Sequence, residues 1–368
     1  MGDTSIGWTD KTWNPVRGCT VVSAECENCY AMGFAARFSG EGQPYEGLAR
    51  FSDKKHLPQW TGAVRFVPSM LDQPLRWRRA RRIFVNSMSD LFHEKLSNEA
   101  IAAVFGVMAA APQHTFQVLT KRPQRAIEWF SWLDWMGGLG GYVRSHRVGS
   151  GGLLPSLFDA VARTEMIQGR RTRSRNDPWA SVFNAAAVIG RGPLPNVHIG
   201  VSAGTQASVD DFIPKLLQIP ASIRFVSAEP LLEEVDLSKW LTRRDRVQME
   251  AFTPEAKAVY GEGRHERDRI VRGVDWVIAG GESGHGARPC DIRWIESVAK
   301  QCADAGAPCF VKQLGANPHA NIPTIVVGWR PGAPEPDTRL RLKDRAGADP
   351  SEWPEALRVQ QFPRGGTV

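Results

Sequence analysis

Six short apolar runs recur along this 368-residue chain, and most lead into a polar loop and then a helical pattern. They are Arg82-Ile83-Phe84-Val85-Asn86-Ser87, Thr115-Phe116-Gln117-Val118-Leu119-Thr120, Val197–Ser202, Ile223–Ser227, Trp276–Gly280 and Pro308–Lys312. Runs apolar on both faces and separated by helices read as strands of a buried parallel sheet. Helices are expected at Asn98–Ala111, capped by Ser97, at Val209–Gln218, and at Arg293–Ala305, which Gly306 ends. With a first strand leading into Cys19, the chain holds about seven βα-like units, the pattern of a full or partial TIM-like barrel. A doubly wound open sheet is the competing arrangement.

Two segments break the pattern. Residues 135–195 contain Gly137-Gly138-Leu139-Gly140-Gly141 and Arg170-Arg171-Thr172-Arg173-Ser174-Arg175, and are longer than an ordinary barrel connection. They read as an insertion, a lid or a substrate-binding subdomain. A second insertion, rich in both charges, covers about 241–273. The barrel is therefore assigned to residues 1–315, with residues 316–368 as an irregular C-terminal extension packed on it. Within that extension, Trp353-Pro354-Glu355-Ala356-Leu357-Arg358 reads as a short docking segment.

Three of the six cysteines fall within eleven residues, at Cys19, Cys26 and Cys29. Thiolates grouped this tightly hold a metal or a cluster. A closed zinc site wants four ligands, whereas three ligands leave a position open for chemistry. A cubane iron–sulfur cluster on three cysteines has one iron free, which suits a reaction centre better than a staple. Zinc completed by a distant His or Cys, and one disulfide with a free thiol, remain the other readings. The chain shows no even cysteine framework and no apolar run near Met1–Trp8. A reducing, cytoplasmic setting is expected. No stretch approaches the roughly 20 apolar residues of a membrane span.

The polar ends of the strand runs supply the candidate site. They are Ser87-Met88-Ser89-Asp90, Thr120-Lys121-Arg122, Ser202, Ser227-Ala228-Glu229-Pro230, Gly280-Gly281-Glu282-Ser283-Gly284 and Lys312-Gln313. In a βα barrel the C-terminal strand ends meet at the face where chemistry is done. An open iron can chelate the amino and carboxylate groups of S-adenosylmethionine, and reductive cleavage of the sulfonium then yields a 5′-deoxyadenosyl radical. Gly280 and Gly281 would allow close approach of the cofactor, with Glu282 and Ser283 beside them. Ser87, Ser89 and Asp90 would bind the methionine ammonium, unless they cap a helix. Ser202 and Glu229 are further pocket candidates. Glu229, Lys121 and Cys290 are candidate catalytic residues, Cys290 as a hydrogen-atom donor. Cys302 and Cys309 fall in apolar patterns and read as core.

The net charge of +7 permits an anionic partner. Arg76, Arg78, Arg79, Arg81 and Arg82, interleaved with Trp77, and the arginines of 170–175 suit a nucleic-acid backbone. The common alternative is a solvated surface or salt-bridged helix, which the first run suits somewhat better. No standard nucleic-acid module is present.

These segments together resemble a phage-associated family of radical-SAM-like proteins of unassigned function with a three-Cys signature. The resemblance rests on Trp13–Cys19, Cys26–Ala31, Arg81–His93, Phe116–Pro123, Arg224–Leu232, Gly280–Gly284 and Trp353-Pro354. It implies a [4Fe-4S] cluster on Cys19, Cys26 and Cys29, S-adenosylmethionine as cofactor, and a reductant such as a ferredoxin or flavodoxin. The wider superfamily spaces its cysteines C-x3-C-x2-C; here the spacing is C-x6-C-x2-C. Asn28 also stands where that superfamily tends to place an aromatic, and Tyr30 follows instead.

Overall fold

The computed structural model describes residues 4–53, 56–133, 193–250, 264–271, 273–320 and 338–363. Seven strands form the central sheet: β1 (Lys11–Trp13), β2 (Arg82–Val85), β3 (Thr115–Thr120), β4 (Val197–Ser202), β5 (Ile223–Ala228), β6 (Trp276–Gly280) and β7 (Cys309–Gln313). Their spatial order is their chain order, and every pairing is parallel. A doubly wound sheet must reverse direction at a switch point. This one does not, which overturns that alternative. The fold is a seven-stranded parallel half-barrel with helices α1 (Tyr30–Arg37), α2 (Asn98–Ala110), α3 (123–133), α4 (Gln206–Leu216) and α5 (Ile292–Ala305).

Closure into a full barrel is not observed: β1 and β7 stand at opposite edges of the sheet. The C-terminal residues occupy the β7 edge. The Val311 N–H donates to Val359 O at 2.7 Å, and the Gln361 N–H to Cys309 O at 2.8 Å. Trp353 is buried and its Nε1 donates to Gly347 O at 3.0 Å. An edge strand with unpaired amides is a liability, and this tail covers it.

Residues alternate across the sheet. Ile83, Val118, Ile199, Val226, Val277 and Val311 point outward into one large core, which takes in α2, α4 and α5. The inward residues form a separate aromatic cluster of Trp8, Phe84, Phe225, Trp276, Ile278 and Phe310. Side chains from β2 and β7, far apart in strand order, meet in that cluster, so the sheet must curl. Gly200 makes room for it: a Cβ there would lie 2.6 Å from the Phe225 ring. On the same inner face, Gln117 and His198 are register neighbours. Gln117 Nε2 donates to Trp8 O at 3.1 Å. Both ring nitrogens of His198 lack a hydrogen-bond partner among the described residues, and burial pushes the imidazole down to about 4.

The helix ends follow local chemistry. Ser97 caps α2, its Oγ accepting from the Ala100 N–H at 3.2 Å. Gly306 ends α5 in the left-handed region at φ 72°. Helix α4 begins at Gln206, three residues before the sequence-based expectation. Thr205 and Ser208 form a capping box there, and hydroxyl caps do not register in an apolar periodicity. The first insertion lies, but for its last residues, outside the described residues, with Arg170–Arg175 in it. The second contains an antiparallel pair, Arg243–Glu250 with Arg264–Val271. No helix among the described residues is long and apolar enough to cross a membrane.

Candidate functional site

The cysteine segment crosses the mouth of the half-barrel, over the C-terminal strand ends. Cys19, Cys26 and Cys29 are half-buried, and none is in a disulfide. Cys29 stands at the N-terminus of α1, where its carbonyl accepts from the Met32 N–H at 3.1 Å. Burial raises its thiol, against the pull of the Met32 N–H and of Lys121, while the neighbouring Cys26 adds to the rise. The Cys19 thiol is pushed up to about 11, chiefly by burial and then by Asp90, with Arg122 opposing and Cys29 adding. The three sulfurs are thus electrostatic neighbours. Among the described residues no three His, Cys, Asp or Glu side chains form a group that could hold a metal ion.

Three polar networks pin this segment to the sheet. The first is Glu25. Its Oε1 accepts from the Gly204 N–H at 2.9 Å and from Ser208 Oγ at 2.7 Å. Burial pushes its carboxyl up, but the donors from Ser23, Ser208 and Gly204 outweigh burial and hold it below the usual range. The second is Arg122, buried at the end of β3. Its Nε donates to Glu94 at 2.9 and 3.0 Å, its Nη1 to Asp90 Oδ2 at 3.1 Å, and its Nη2 to Thr20 Oγ1 at 2.6 Å and Thr20 O at 3.2 Å. The same Nη1 lies 3.8 Å from Cys19 Sγ, within donating distance. The third is Arg288, whose Nη2 meets Glu282 Oε1 at 2.6 Å and whose Nη1 donates to Ala24 O at 2.9 Å. Asn28 Nδ2, one residue before Cys29, donates to Glu282 Oε2 at 3.0 Å.

The candidate residues divide accordingly. Asp90 is buried and fully engaged, accepting from Thr120 Oγ1 at 2.8 Å, the Lys121 N–H at 3.0 Å and the Phe92 N–H at 2.9 Å besides Arg122. Ser87 Oγ donates to Asn14 Oδ1 at 3.2 Å, and Ser89 Oγ to Val16 O at 2.9 Å. Ser202 Oγ donates to Glu229 O at 3.0 Å. Glu282 lies under the cysteine segment with its carboxylate taken up by Arg288 and Asn28; these donors overcome burial and keep it below its ordinary value. The glycines beside it answer to the protein's own chain. A Cβ on Gly281 would lie 2.3 Å from Leu314 O, and one on Gly280 2.8 Å from Gln313 O. Ser283 follows in the same loop, half-buried. Cys290 is buried against Gly281, and burial pushes its thiol up to about 12.

Two groups remain directed at the mouth. Lys121 is half-buried, its ammonium makes no hydrogen bond or ion pair among the described residues, and its charge acts on Cys29. Glu229 pairs with Lys312, and its Oε1 also accepts from Gln313 Nε2 at 3.2 Å. Tyr30 stands beside them, its hydroxyl donating to Ser87 O at 2.8 Å.

Sequence reasoning missed Glu25 and Arg288 as parts of the site, and placed Arg122 among the strand-end residues of a shared cavity, where its guanidinium is taken up by Glu94, Asp90 and Thr20. Lys312 was legible, since it closes an apolar run as Glu229 does. No such signal existed for Glu25, whose partners are 179 and 183 residues away. The Arg76–Arg82 run lies at the opposite, N-terminal end of β2. Arg76 pairs with Asp72 at 2.5 Å and Arg82 with Asp10 at 2.9 Å, while Arg78 and Arg79 are exposed.

A family model described as "Protein of unknown function (DUF5131)" matches residues 3–349. No curated protein and no solved structure matches the chain.

Proposed function

The chain belongs to the DUF5131 family of proteins of unknown function, a membership that carries no activity, and we propose that it is an iron–sulfur enzyme of the radical S-adenosylmethionine type. The observation that carries the reading is the cysteine segment itself. Three free thiols sit on one loop over the C-terminal ends of a parallel half-barrel. That loop is already held by Glu25, Arg122 and Arg288, so a metal there has no structural work left to do.

The donor set fits a cluster. Thiolates are the ordinary ligands of iron–sulfur centres. A cubane takes one thiolate per iron, so its ligands need not converge on one point as those of a single ion must. Cys19, Cys26 and Cys29 would hold it, leaving one iron for the amino and carboxylate groups of S-adenosylmethionine. When bound, such a cluster supplies the electron that breaks the sulfonium of that cofactor and yields a 5′-deoxyadenosyl radical.

The remaining residues have distinct parts. Lys121 offers an unpaired ammonium to an anionic group near Cys29. The Glu229–Lys312 pair and Gln313 form a polar wall on the other side of the mouth. Ser87, Ser89, Asp90, Ser202, Gly280, Gly281 and Glu282 act by fixing loops, and Ser283 is open to a ligand. Cys290, enclosed as it is, serves the packing of the glycine loop. A reductant of the ferredoxin or flavodoxin class would supply the electron in a reducing, cytoplasmic setting. A nucleic acid is the anionic substrate class the basic charge suits, and the phage association implied by the sequence resemblance is of a piece with that.

The test is anaerobic reconstitution with iron and sulfide, then EPR of the reduced protein with and without S-adenosylmethionine. A cubane signal that shifts with the cofactor, together with 5′-deoxyadenosine in the mixture, is expected. Tight stoichiometric zinc with no cluster would overturn the reading. A cluster indifferent to the cofactor would leave iron–sulfur chemistry of another kind.

A further inference from the structure

We infer that Arg122 is a positioning residue that sets the reduction potential of whatever iron–sulfur cluster Cys19 ligates; the inference rests on the cluster reading above.

A guanidinium carries five N–H donors in a fixed planar fork. Here each has a use. The Nε–H goes to Glu94, the two of Nη2 to Thr20 Oγ1 and Thr20 O, and one of Nη1 to Asp90. The single donor not directed at oxygen lies 3.8 Å from Cys19 Sγ. The arrangement has little freedom, because the Arg122 side chain is 4% exposed and its partner Asp90 7%. The guanidinium is charged, as an arginine is at any working pH. No other side-chain cation lies within hydrogen-bonding distance of one of the three sulfurs among the described residues.

The direction of the effect follows from charge. The reduced cluster holds one more electron than the oxidised one. A donor and a positive charge at a ligating sulfur stabilise the more negative form, and hydrogen bonds to sulfur are among the factors that set such potentials. Arg122 therefore makes the cluster easier to reduce. Asp90 pushes the other way, so removing Arg122 alone leaves that buried carboxylate acting on Cys19 unopposed by the guanidinium. Lysine keeps the charge but cannot reproduce the fork that reaches Thr20, Asp90, Glu94 and sulfur together.

Wild-type, Arg122→Gln and Arg122→Lys proteins are reconstituted anaerobically and titrated with reductant while the reduced-cluster EPR signal is followed. At the solution potential that half-reduces the wild type, the Gln variant is expected to show a reduced-to-oxidised ratio about tenfold lower, a one-electron shift of about 59 mV. The Lys variant should fall between the two. A Gln variant that binds its cluster and titrates with the wild type overturns the inference while leaving the cluster reading intact. A wild type that takes up no cluster removes both. Should the Gln variant fail to fold, Thr20→Val deletes the 2.6 Å contact that aims the fork. A smaller shift of the same sign is then expected, and an unchanged potential overturns the inference.

Discussion

The floor and the mouth of the half-barrel are built from opposite materials. The floor is aromatic: Trp8, Phe84, Phe225, Trp276 and Phe310 fill it, and Trp8 Nε1, Gln117 Oε1 and both ring nitrogens of His198 have no hydrogen-bond partner among the described residues. The mouth is charged: Glu25, Asp90, Arg122, Glu282 and Arg288 are buried or half-buried, and each is met by several partners. Burial of a charge is tolerable only where hydrogen bonds replace water. The floor holds its shape by volume, whereas the mouth holds the cysteine segment by directed bonds and leaves little besides Lys121 free to meet a ligand.

The comparison breaks first if the floor is not the seat of stability. Phe225→Ala should cost about 3–5 kcal/mol in chemical denaturation, the usual range for a buried aromatic, while iron uptake per folded molecule stays at the wild-type value. Loss of iron uptake in the folded variant would mean that floor and mouth are one unit.

Next in size is a pH effect confined to the floor. The His198 imidazole is held near 4, below its ordinary 6.5. It is neutral in the folded protein, so its contribution is complete above pH 6.5 and lost as pH falls toward 4, where the unfolded chain takes up a proton that the native site refuses. The loss is on the order of 3 kcal/mol. His198→Leu should flatten that part of the stability–pH curve, with the slope from His93 and His114, whose burial also lowers them, remaining. Curves of equal slope for variant and wild type would remove His198 from the account.

Smaller again is Glu25→Ala, which strips the acceptor from the Gly204 N–H and Ser208 Oγ and should cost about 1–3 kcal/mol. Because the loss falls on the cysteine segment, proteolysis between Cys19 and Cys29 should rise more than the global stability falls. Equal changes in both would show that the segment opens only with the whole fold. The least effect on stability belongs to Lys121→Ala, within about 0.5 kcal/mol. Its readout is affinity: equilibrium dialysis of S-adenosylmethionine against reconstituted protein should register weaker binding. Unchanged binding would take Lys121 out of the site.

Strands β3, β4 and β6 were readable to the residue, because buried strands of a parallel sheet need side chains apolar on both faces and that demand is local. Helix α2 and the end of α5 were equally legible through Ser97 and Gly306, whose cap chemistry acts within one turn. The three cysteines stood out by spacing alone. What lay hidden were the partners. Glu282 and Asp90 were read as groups free to bind a cofactor, since each follows a strand and carries a carboxylate. Nothing near either in sequence announces Asn28 254 residues before Glu282, or Arg122 closing over Asp90 from 32 residues beyond. Gly280 and Gly281 suggested room for a ligand, and a side chain on either would meet the backbone of Gln313 or Leu314.

From the amino-acid sequence alone came the βα order, the parallel sheet and a cluster of three cysteines after the first strand, because periodicity, capping and cysteine spacing are short-range properties. Only the tertiary structure decided that the sheet stops at a half-barrel with its last edge covered by the C-terminal residues, and which polar groups at the mouth are spent on one another. Both depend on contacts between segments far apart in the chain. A hydrogen bond satisfied across such a distance leaves no local trace in composition or spacing, yet it fixes whether a charged side chain is a strut or a hand held out to a ligand.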